Sequence, residues 1–247
     1  MKTISSTLVN IVLILCYFYC NNIYSQTISN ERAFFYFVKI YKYSVSTKVE
    51  SGGGYSQCGG DLLTHYAYVF DNYNYLQSRN DEFEKNKYTK TITSKFLNEL
   101  AKVKFEDKFT VSCEGSLGEY SFENSSFPIN FTKDEYRLGY DIPFYKDDCY
   151  MIIRIGEINN LSKFKWNLPF PIEKAQDFIS KRKDADGKID RTICFNLTYS
   201  ILNKESFHAN YGTNLNGKNI VIYLYSVDIF ADASLTEKLG TLYPSSN

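Results

Sequence analysis

Apolar residues in the first part of the chain recur at the three- and four-residue steps of amphipathic helices. Ser29 or Asn30 can cap a first helix, and Asp61 can open a second. A third helix follows Asn80, with acidic residues in its first turn and lysines near its end, as the helix dipole favours. The apolar positions of the three predicted helices are, in order, Phe34, Phe35, Phe37, Val38 and Tyr41; Leu62, Tyr66, Phe70 and Tyr73; and Tyr88, Ile92, Phe96, Leu100 and Val103.

Beyond Phe105 the pattern changes to the alternation that is typical of β-strands. The clearest strand runs from Thr192 to Ile201, and its apolar face consists of Ile193, Phe195, Leu197, Tyr199 and Ile201. Further strands are predicted at 109–113, 120–122, 149–155 and 219–230, the second of them ending at Ser125, Ser126 and Pro128. Pro171 begins a short helix that reaches Lys183, with Ile172, Ala175, Phe178 and Ile179 facing inward.

Helices that precede strands in this order predict an α+β protein. We expect N-terminal helices packed on a largely antiparallel sheet that the C-terminal half forms. The length beyond residue 25 suits one α+β domain over residues 26–247. A helical subdomain at 26–105 with a sheet-rich part at 106–247 is the alternative division.

The first 25 residues have the order of regions found in secretory signal peptides. Lys2 precedes an apolar run from Leu8 to Cys20, and the small residue Ser25 stands before Gln26. The run is shorter than the roughly 20 residues of a membrane-spanning helix, and no later segment is apolar enough to span a bilayer. We therefore expect cleavage near Ser25 and a soluble exported protein, periplasmic or extracellular, from a bacterium.

The overall charge bears on the partners that this protein can have. The chain has 28 basic and 28 acidic residues, without the concentrated basic face of a nucleic-acid-binding protein. Its aromatic content of 17% fits either a sugar-binding surface or AT-rich coding DNA. We expect an unknown protein or glycan partner in the cell envelope, and no nucleic acid.

Four cysteines follow the predicted cleavage point, namely Cys58, Cys113, Cys149 and Cys194. In an oxidising compartment an even number of cysteines favours disulfides, and four residues allow three connectivities. No Cys-x-x-Cys pair is present, which argues against a zinc site of that kind. Two disulfides of undetermined connectivity, and no metal, are the expectation.

Two short segments resemble a known group of proteins. The segment GEYSFENSSFPI, at 118–129, follows the acidic and aromatic segment DEFEKNKY, at 81–88. Together they are similar to an uncharacterised secreted bacterial family of unknown function, with a signal peptide, a helical N-terminal half and a Gly-x-Tyr-x-Phe-Glu segment that leads to Phe-Pro. The resemblance implies no catalytic residues.

The segment KDADGKID, at 183–190, is similar to a calcium-binding loop. Alignment of Gly187 with the glycine of an EF-hand loop places Arg182 at position 1 and Ile193 at position 12, where oxygen ligands are required. A turn between a helix and a strand is therefore predicted here. The glycine cluster at 51–60 lacks the lysine of a phosphate-binding loop, because Asp61 stands at that position, and no cofactor is expected.

Candidates for catalysis are few. Glu119 and Glu123 lie four residues apart, and on a strand they would share one face as a pair of carboxylates; His208 is a further weak candidate. Arg154 and Asp228 are ionisable residues within apolar strands and would pair if both were buried. The leading expectation is a non-catalytic binding or envelope-associated module. The alternatives are a secreted hydrolase that uses the paired carboxylates, and an inhibitor or immunity-type protein.

Overall fold

A computed structural model describes residues 27–49, 60–131, 140–146, 149–207 and 218–246 of the chain. The helices in these ranges are α1 (Asn30–Ile40), α2 (Leu62–Phe70), α3 (Asn72–Ser78), α4 (Glu82–Ala101) and α5 (Ile172–Lys181). The strands are β1 (Lys48–Val49), β2 (Gly60–Asp61), β3 (Lys108–Leu117), β4 (Ser126–Phe131), β5 (Tyr140–Lys146), β6 (Cys149–Ile158), β7 (Asn167–Pro169), β8 (Thr192–Phe207), β9 (Lys218–Phe230) and β10 (Lys238–Leu242). No helix in the described ranges has both the length and the apolarity to cross a bilayer.

Eight strands form one mixed sheet, in the order β5-β6-β9-β8-β3-β4-β7, with β10 paired to β9 beside this path. The pairing of β6 with β9 is parallel, and the other pairings of the described strands are antiparallel. The predicted α+β class is confirmed. The separation of helices from strands along the chain is only partial, because α5 lies among the strands of the sheet and the β1–β2 pair lies among the helices.

Helix α1 packs between the sheet and helices α2 and α4, and only its polar side chains, among them Glu31 and Arg32, keep substantial exposure. Its buried residues are Ala33, Phe34, Phe35, Tyr36, Phe37, Val38 and Ile40. A helix with so wide an apolar surface is stable only inside a core. Just beyond its end, the Tyr41 hydroxyl donates to the carbonyls of Ser206 (2.7 Å) and Asn219 (3.0 Å), which fixes α1 to β8 and β9. We call α1–α4, with β5, β6 and the adjoining parts of β8 and β9, the helical end.

At the other end the sheet curls until β7 lies against β10. Phe164 forms a bridge with Pro244, and the Ser245 amide donates to the Lys163 carbonyl at 2.8 Å. The side chains that fill the interior include Leu117, Phe127, Leu168, Ile193, Phe195, Val227, Ile229 and Leu242. Helix α5 packs on this interior through Ala175 and Phe178. We call β4, β7, β10 and α5, with the adjoining parts of β3, β8 and β9, the barrel end.

Close packing inside the barrel end requires a glycine in β3. A Cβ atom added at Gly115 would lie 2.1 Å from the ring of Phe195, far inside van der Waals contact. The aromatic ring of β8 thus occupies the space that a β3 side chain would need. This contact locks the register between the two strands.

The two ends meet along one edge of β9. Strand β6 pairs with Asn219–Ile222, and β10 pairs with Val227–Phe230. Between them the buried side chain of Asn160 donates to the Leu224 carbonyl (2.8 Å) and accepts from the Leu224 amide (2.9 Å). An amide side chain here replaces the backbone of a partner strand, so the edge stays hydrogen-bonded where one neighbour ends and the next begins.

Several predicted elements need correction. The predicted second helix is interrupted at Asp71, so that Tyr73 lies on α3 and is 75% exposed. The Asp71 carboxylate accepts from Asn74 and from the Tyr88 hydroxyl, and it stabilises this break. Ile172, predicted to face inward, is 40% exposed at the start of α5.

The predicted strand at 120–122 is wrong. Residues 122–125 form a turn that is closed by a bridge between Ser121 and Ser126, with Ser125 at φ 45°. Pro128, read as a stop, belongs to β4, and its carbonyl accepts from the Gly118 amide at 2.7 Å.

The expected pair of Arg154 and Asp228 is also wrong. In the register of β6 and β9, Arg154 is opposite Asn219, nine residues from Asp228 along the strand. That separation is about 30 Å in an extended strand. Asp228 instead binds Lys238 Nζ at 2.8 Å and accepts from the Thr241 hydroxyl at 2.7 Å.

Candidate functional site

The polar face of helix α5 forms one wall of a cleft. Lys174, Asp177 and Lys181 are spaced three and four residues apart, so they share one face of the helix. The adjacent face, which turns toward the core, carries Ala175 and Phe178, which are buried. Lys181 Nζ lies 2.7 Å from Asp177 Oδ2, and this hydrogen bond is the main cause that raises the pKa of Lys181.

Aromatic residues form the apolar base of the cleft. The ring of Phe178 lies 5.9 Å from that of Phe170 and 5.9 Å from that of Phe127. The Tyr120 hydroxyl donates to the Phe170 carbonyl at 2.8 Å and holds the segment before α5 in place. Such tilted and edge-to-face contacts fix the ring positions, so the base is largely preformed.

The turn between β9 and β10 forms the opposite wall, and Asp232 organises it. The Asp232 carboxylate accepts from the backbone amides of Thr236 (3.4 Å) and Glu237 (3.1 Å), and from the Ser234 hydroxyl. The Ala231 amide closes the turn by donating to the Glu237 carbonyl at 2.8 Å. The hydrogen bond from Ser234, with those from the backbone amides, lowers the pKa of Asp232 to about 2, so this carboxylate is ionised at neutral pH.

Arg182 joins the two walls. Its guanidinium donates to the Ala231 carbonyl at 3.0 Å, pairs with Asp190 at 3.0 Å and lies 5.1 Å from the centre of the Phe178 ring. It is only 17% exposed, so the pair with Asp190 is better shielded on the arginine side than an ordinary surface ion pair. Arg182 therefore fixes the distance between the end of α5 and the β9–β10 turn.

The cleft between these walls has a volume of about 510 Å³. Its α5 side carries Lys174, Lys181 and Arg182, and its turn side carries Asp232 and Glu237. The two walls thus differ in charge, with Asp177 partly offsetting the cations of α5. A mostly preformed concavity with an apolar base and a few charged groups is typical of a small-ligand site.

The lining offers binding rather than covalent chemistry. The described lining residues include no serine, cysteine or histidine, so the cleft holds no nucleophile paired with an imidazole base. Asp232 stays ionised and its oxygens are engaged by the turn, which makes it a poor general acid.

Glu119 and Glu123, the candidate pair of carboxylates, lie at the surface and away from the cleft. Both are exposed in the loop between β3 and β4, and neither lines the cleft. The argument that they share one face of a strand fails, because Glu123 lies in the 122–125 turn. His208 lies outside the described residues.

The segment KDADGKID is a turn between α5 and β8, as predicted. Asp184 Oδ1 accepts from the amides of Asp186 (3.0 Å) and Lys188 (2.8 Å), and Gly187 has φ 82°. Asp190 accepts from the Thr192 amide at 2.9 Å, and this bond is the main cause that lowers the pKa of Asp190. Across the described residues, no three His, Cys, Asp or Glu side chains are grouped so as to hold a metal ion.

Cys113 and Cys194 are free thiols. Cys113 pairs with Phe195 and Cys194 with Glu114, so neighbouring positions place the two thiols on opposite faces of the sheet. They cannot form a disulfide with each other in this register. Burial raises the pKa of Cys113 to about 12, which makes it unreactive. Cys58 and the side chain of Cys149 lie outside the described residues, so the expectation of two disulfides among the four cysteines stays a prediction.

Sequence reasoning missed the cleft as a site. The stripe of Lys174, Asp177 and Lys181 on α5 was visible in the sequence, but such a stripe is usually only a solvated helix face. Nothing in the local pattern indicated that this face would lie opposite Asp232 and Glu237, some 60 residues later.

Comparison with protein-family models, with curated proteins and with solved structures finds no match to this chain. The resemblance of the 118–129 segment to a secreted bacterial family therefore stays a prediction.

Proposed function

We propose that the protein is a non-catalytic binding module whose ligand site is the cleft between α5 and the β9–β10 turn. The observation that carries the proposal is the combination of an aromatic base with two walls of different charge in a space of about 510 Å³. Arg182 and Asp232 keep both walls in place without a ligand. Preorganisation of this kind lowers the entropic cost of binding.

A binding role accounts for the chemistry of the cleft better than hydrolysis does. The carboxylates proposed for hydrolysis, Glu119 and Glu123, are exposed on a loop outside the cleft. A glycosidase requires two carboxyl groups on either side of a bound sugar. The cleft gives no support to a hydrolase that uses Glu119 and Glu123, because neither residue lines it.

The predicted signal peptide suggests where this binding takes place. In an exported protein, the ligand of the cleft would be a component of the cell envelope or of the surrounding medium. The balance of 28 basic and 28 acidic residues disfavours nucleic acid as the partner.

A ligand screen monitored by the backbone amide signals of the isotope-labelled protein tests the proposal. We expect ligands to shift the amide signals of residues 174–182 and 231–237, which flank the cleft. The charge-reversal variants Lys174→Glu and Glu237→Lys should weaken this binding. The matched controls Lys165→Glu and Glu173→Lys, exposed but outside the lining, should leave it unchanged.

Two results would overturn the proposal. Ligands that shift only signals elsewhere in the protein would remove the cleft as the site. Hydrolysis of a glycan or peptide that Glu119→Gln or Glu123→Gln abolishes would establish an enzyme instead.

A further inference from the structure

Two charged side chains of the cleft remain available for a ligand. Lys181 is paired with Asp177, Arg182 with Asp190, and Asp232 with its own turn. Among the described residues, neither Lys174 nor Glu237 makes an ion pair or a side-chain hydrogen bond. The cleft therefore presents a cation on the α5 wall and an anion on the turn wall that have no ion pair or side-chain hydrogen bond among the described residues, although the charge of Glu237 also acts on Lys181 and raises its pKa.

The opposite signs of these two charges, one on each wall of the cleft, determine what kind of molecule can bind both. An anionic ligand would satisfy Lys174 and be repelled by Glu237, and a cationic ligand would do the reverse. A neutral sugar would use neither charge. Only a molecule with a negative group at one end and a positive group at the other complements the two walls together.

The apolar base and the size of the cleft further restrict the class of ligand that it can bind. Phe170, Phe178 and Ala231 provide apolar contact between the two walls. A tripeptide in extended form spans about 10 Å, and its central side chain stands away from both termini. A volume of about 510 Å³ lies within the range of small-ligand sites.

We infer that the cleft binds a short peptide with free termini and an apolar central residue, its carboxylate toward Lys174 and its ammonium group toward Glu237. This inference rests on the proposed function, because it specifies the ligand class of the same cleft. Free amino and carboxyl termini distinguish released peptide fragments from internal segments of folded proteins. The module would therefore recognise products of proteolysis.

Four forms of one tripeptide test the inference. The probes are Gly-Phe-Gly with both termini free, its N-acetylated form, its C-amidated form and the form that is blocked at both ends. Isothermal titration calorimetry at neutral pH measures the dissociation constant of each. Exposed ion pairs contribute modestly, so each blocked terminus should weaken binding roughly two- to fivefold.

Single substitutions in the protein test which wall of the cleft binds each terminus of the tripeptide. In Lys174→Gln, C-amidation should no longer weaken binding, whereas N-acetylation should still do so. In Glu237→Gln, the pattern should be reversed. Lys165→Gln and Glu173→Gln, exposed residues outside the lining, should reproduce the response of the unsubstituted protein to all four probes.

The outcomes separate the inference from the function on which it rests. If all four probes bind in the cleft with equal affinity, the ligand class is wrong although the cleft is a binding site. If amidation weakens binding to Lys174→Gln as much as to the unsubstituted protein, the proposed orientation is wrong. If no probe binds while other ligands from the screen do bind in the cleft, peptides are excluded. If nothing binds there, the proposed function fails as well.

Discussion

The two ends of this protein treat their ionisable groups in opposite ways. The helical end buries phenol and imidazole groups, as in the Tyr66 hydroxyl that donates to Glu31 at 2.5 Å and in the buried His65. Burial raises the pKa of Tyr36, Tyr66 and Tyr88 and lowers that of His65 to about 4. At the barrel end, Asp190 and Asp232 lie near the surface, where hydrogen bonds lower their pKa.

This difference predicts that pH acts on the stability of the helical end, whereas the barrel end presents charged groups to a ligand. A buried group that stays neutral in the folded protein lowers the stability at any pH at which the same group is charged in the unfolded chain. Acidification toward pH 4 and alkalinisation beyond pH 10 should therefore act on the helical end. Asp232, on the turn wall of the cleft, has a pKa of about 2 and stays ionised above that pH. The barrel end should therefore keep its structure between pH 4 and pH 10.

The largest expected effect comes from the core of the helical end. Phe34 is fully buried, and its ring contacts those of Phe35, Tyr66 and Phe96. Phe34→Ala should lower the free energy of unfolding by about 3–5 kcal/mol, measured by urea denaturation. The control Phe83→Ala, at a side chain that is 78% exposed, should change it by less than about 0.5 kcal/mol. Equal effects of the two substitutions would contradict the central position of α1.

The pH dependence of stability should come next. Between pH 6.5 and about 4, His65 binds a proton in the unfolded chain and not in the folded one. The contribution of His65 to stability is therefore complete above pH 6.5 and is lost as the pH falls to about 4, by about 3 kcal/mol in total. Denaturation at a series of pH values should show this slope, and His65→Gln should flatten it. An unchanged slope in the variant would assign the acid sensitivity to other groups.

A smaller effect is expected at the junction of the two ends. Asn160→Ala leaves the amide and the carbonyl of Leu224 buried without their partner, at a cost of about 1–3 kcal/mol. Hydrogen exchange at the Leu224 amide should accelerate accordingly. The neighbouring control Asn159→Ala, at an exposed residue, should leave that exchange unchanged. If both variants exchange alike, another group holds this edge of β9.

The smallest effect on stability is expected at the cleft. Asp232→Asn removes the charge that the turn amides and hydroxyls bind, and it should loosen the turn with little change in global unfolding. Amide signals of Thr236 and Glu237 should shift, and ligand affinity should fall. Asp186→Asn, in the exposed turn before β8, serves as the control. A cleft that binds its ligand unchanged without the Asp232 charge would show that the turn is held in another way.

The sequence predicted elements whose signals are local. Helices α1 and α4 and the two faces of β8 follow from apolar spacing, and the start of α1 follows from the Ser29 cap. Asp81, predicted in the first turn of α4, instead caps that helix. The curl that brings β7 against β10 depends on packing between distant segments, which no local period encodes. No local period predicts the role of Asn160 either, because its side chain pairs with the backbone of Leu224 from outside any strand.

The candidate site was less predictable than the fold for the same reason. Glu119 and Glu123 stood out because they are close in sequence, yet they lie on an exposed loop. Lys174 and Glu237 are far apart in sequence and line the same cleft only because α5 packs beside the β9–β10 turn. A site assembled across a tertiary contact leaves no short motif to find.

A titration of the isotope-labelled protein with Gly-Phe-Gly, monitored through its backbone amide signals at neutral pH, tests the central claim most directly. The account predicts saturable shifts at residues 174–182 and 231–237, with the signals of α1 and α4 unchanged. Shifts confined to the helical end, or no saturable shift around the cleft, would contradict it.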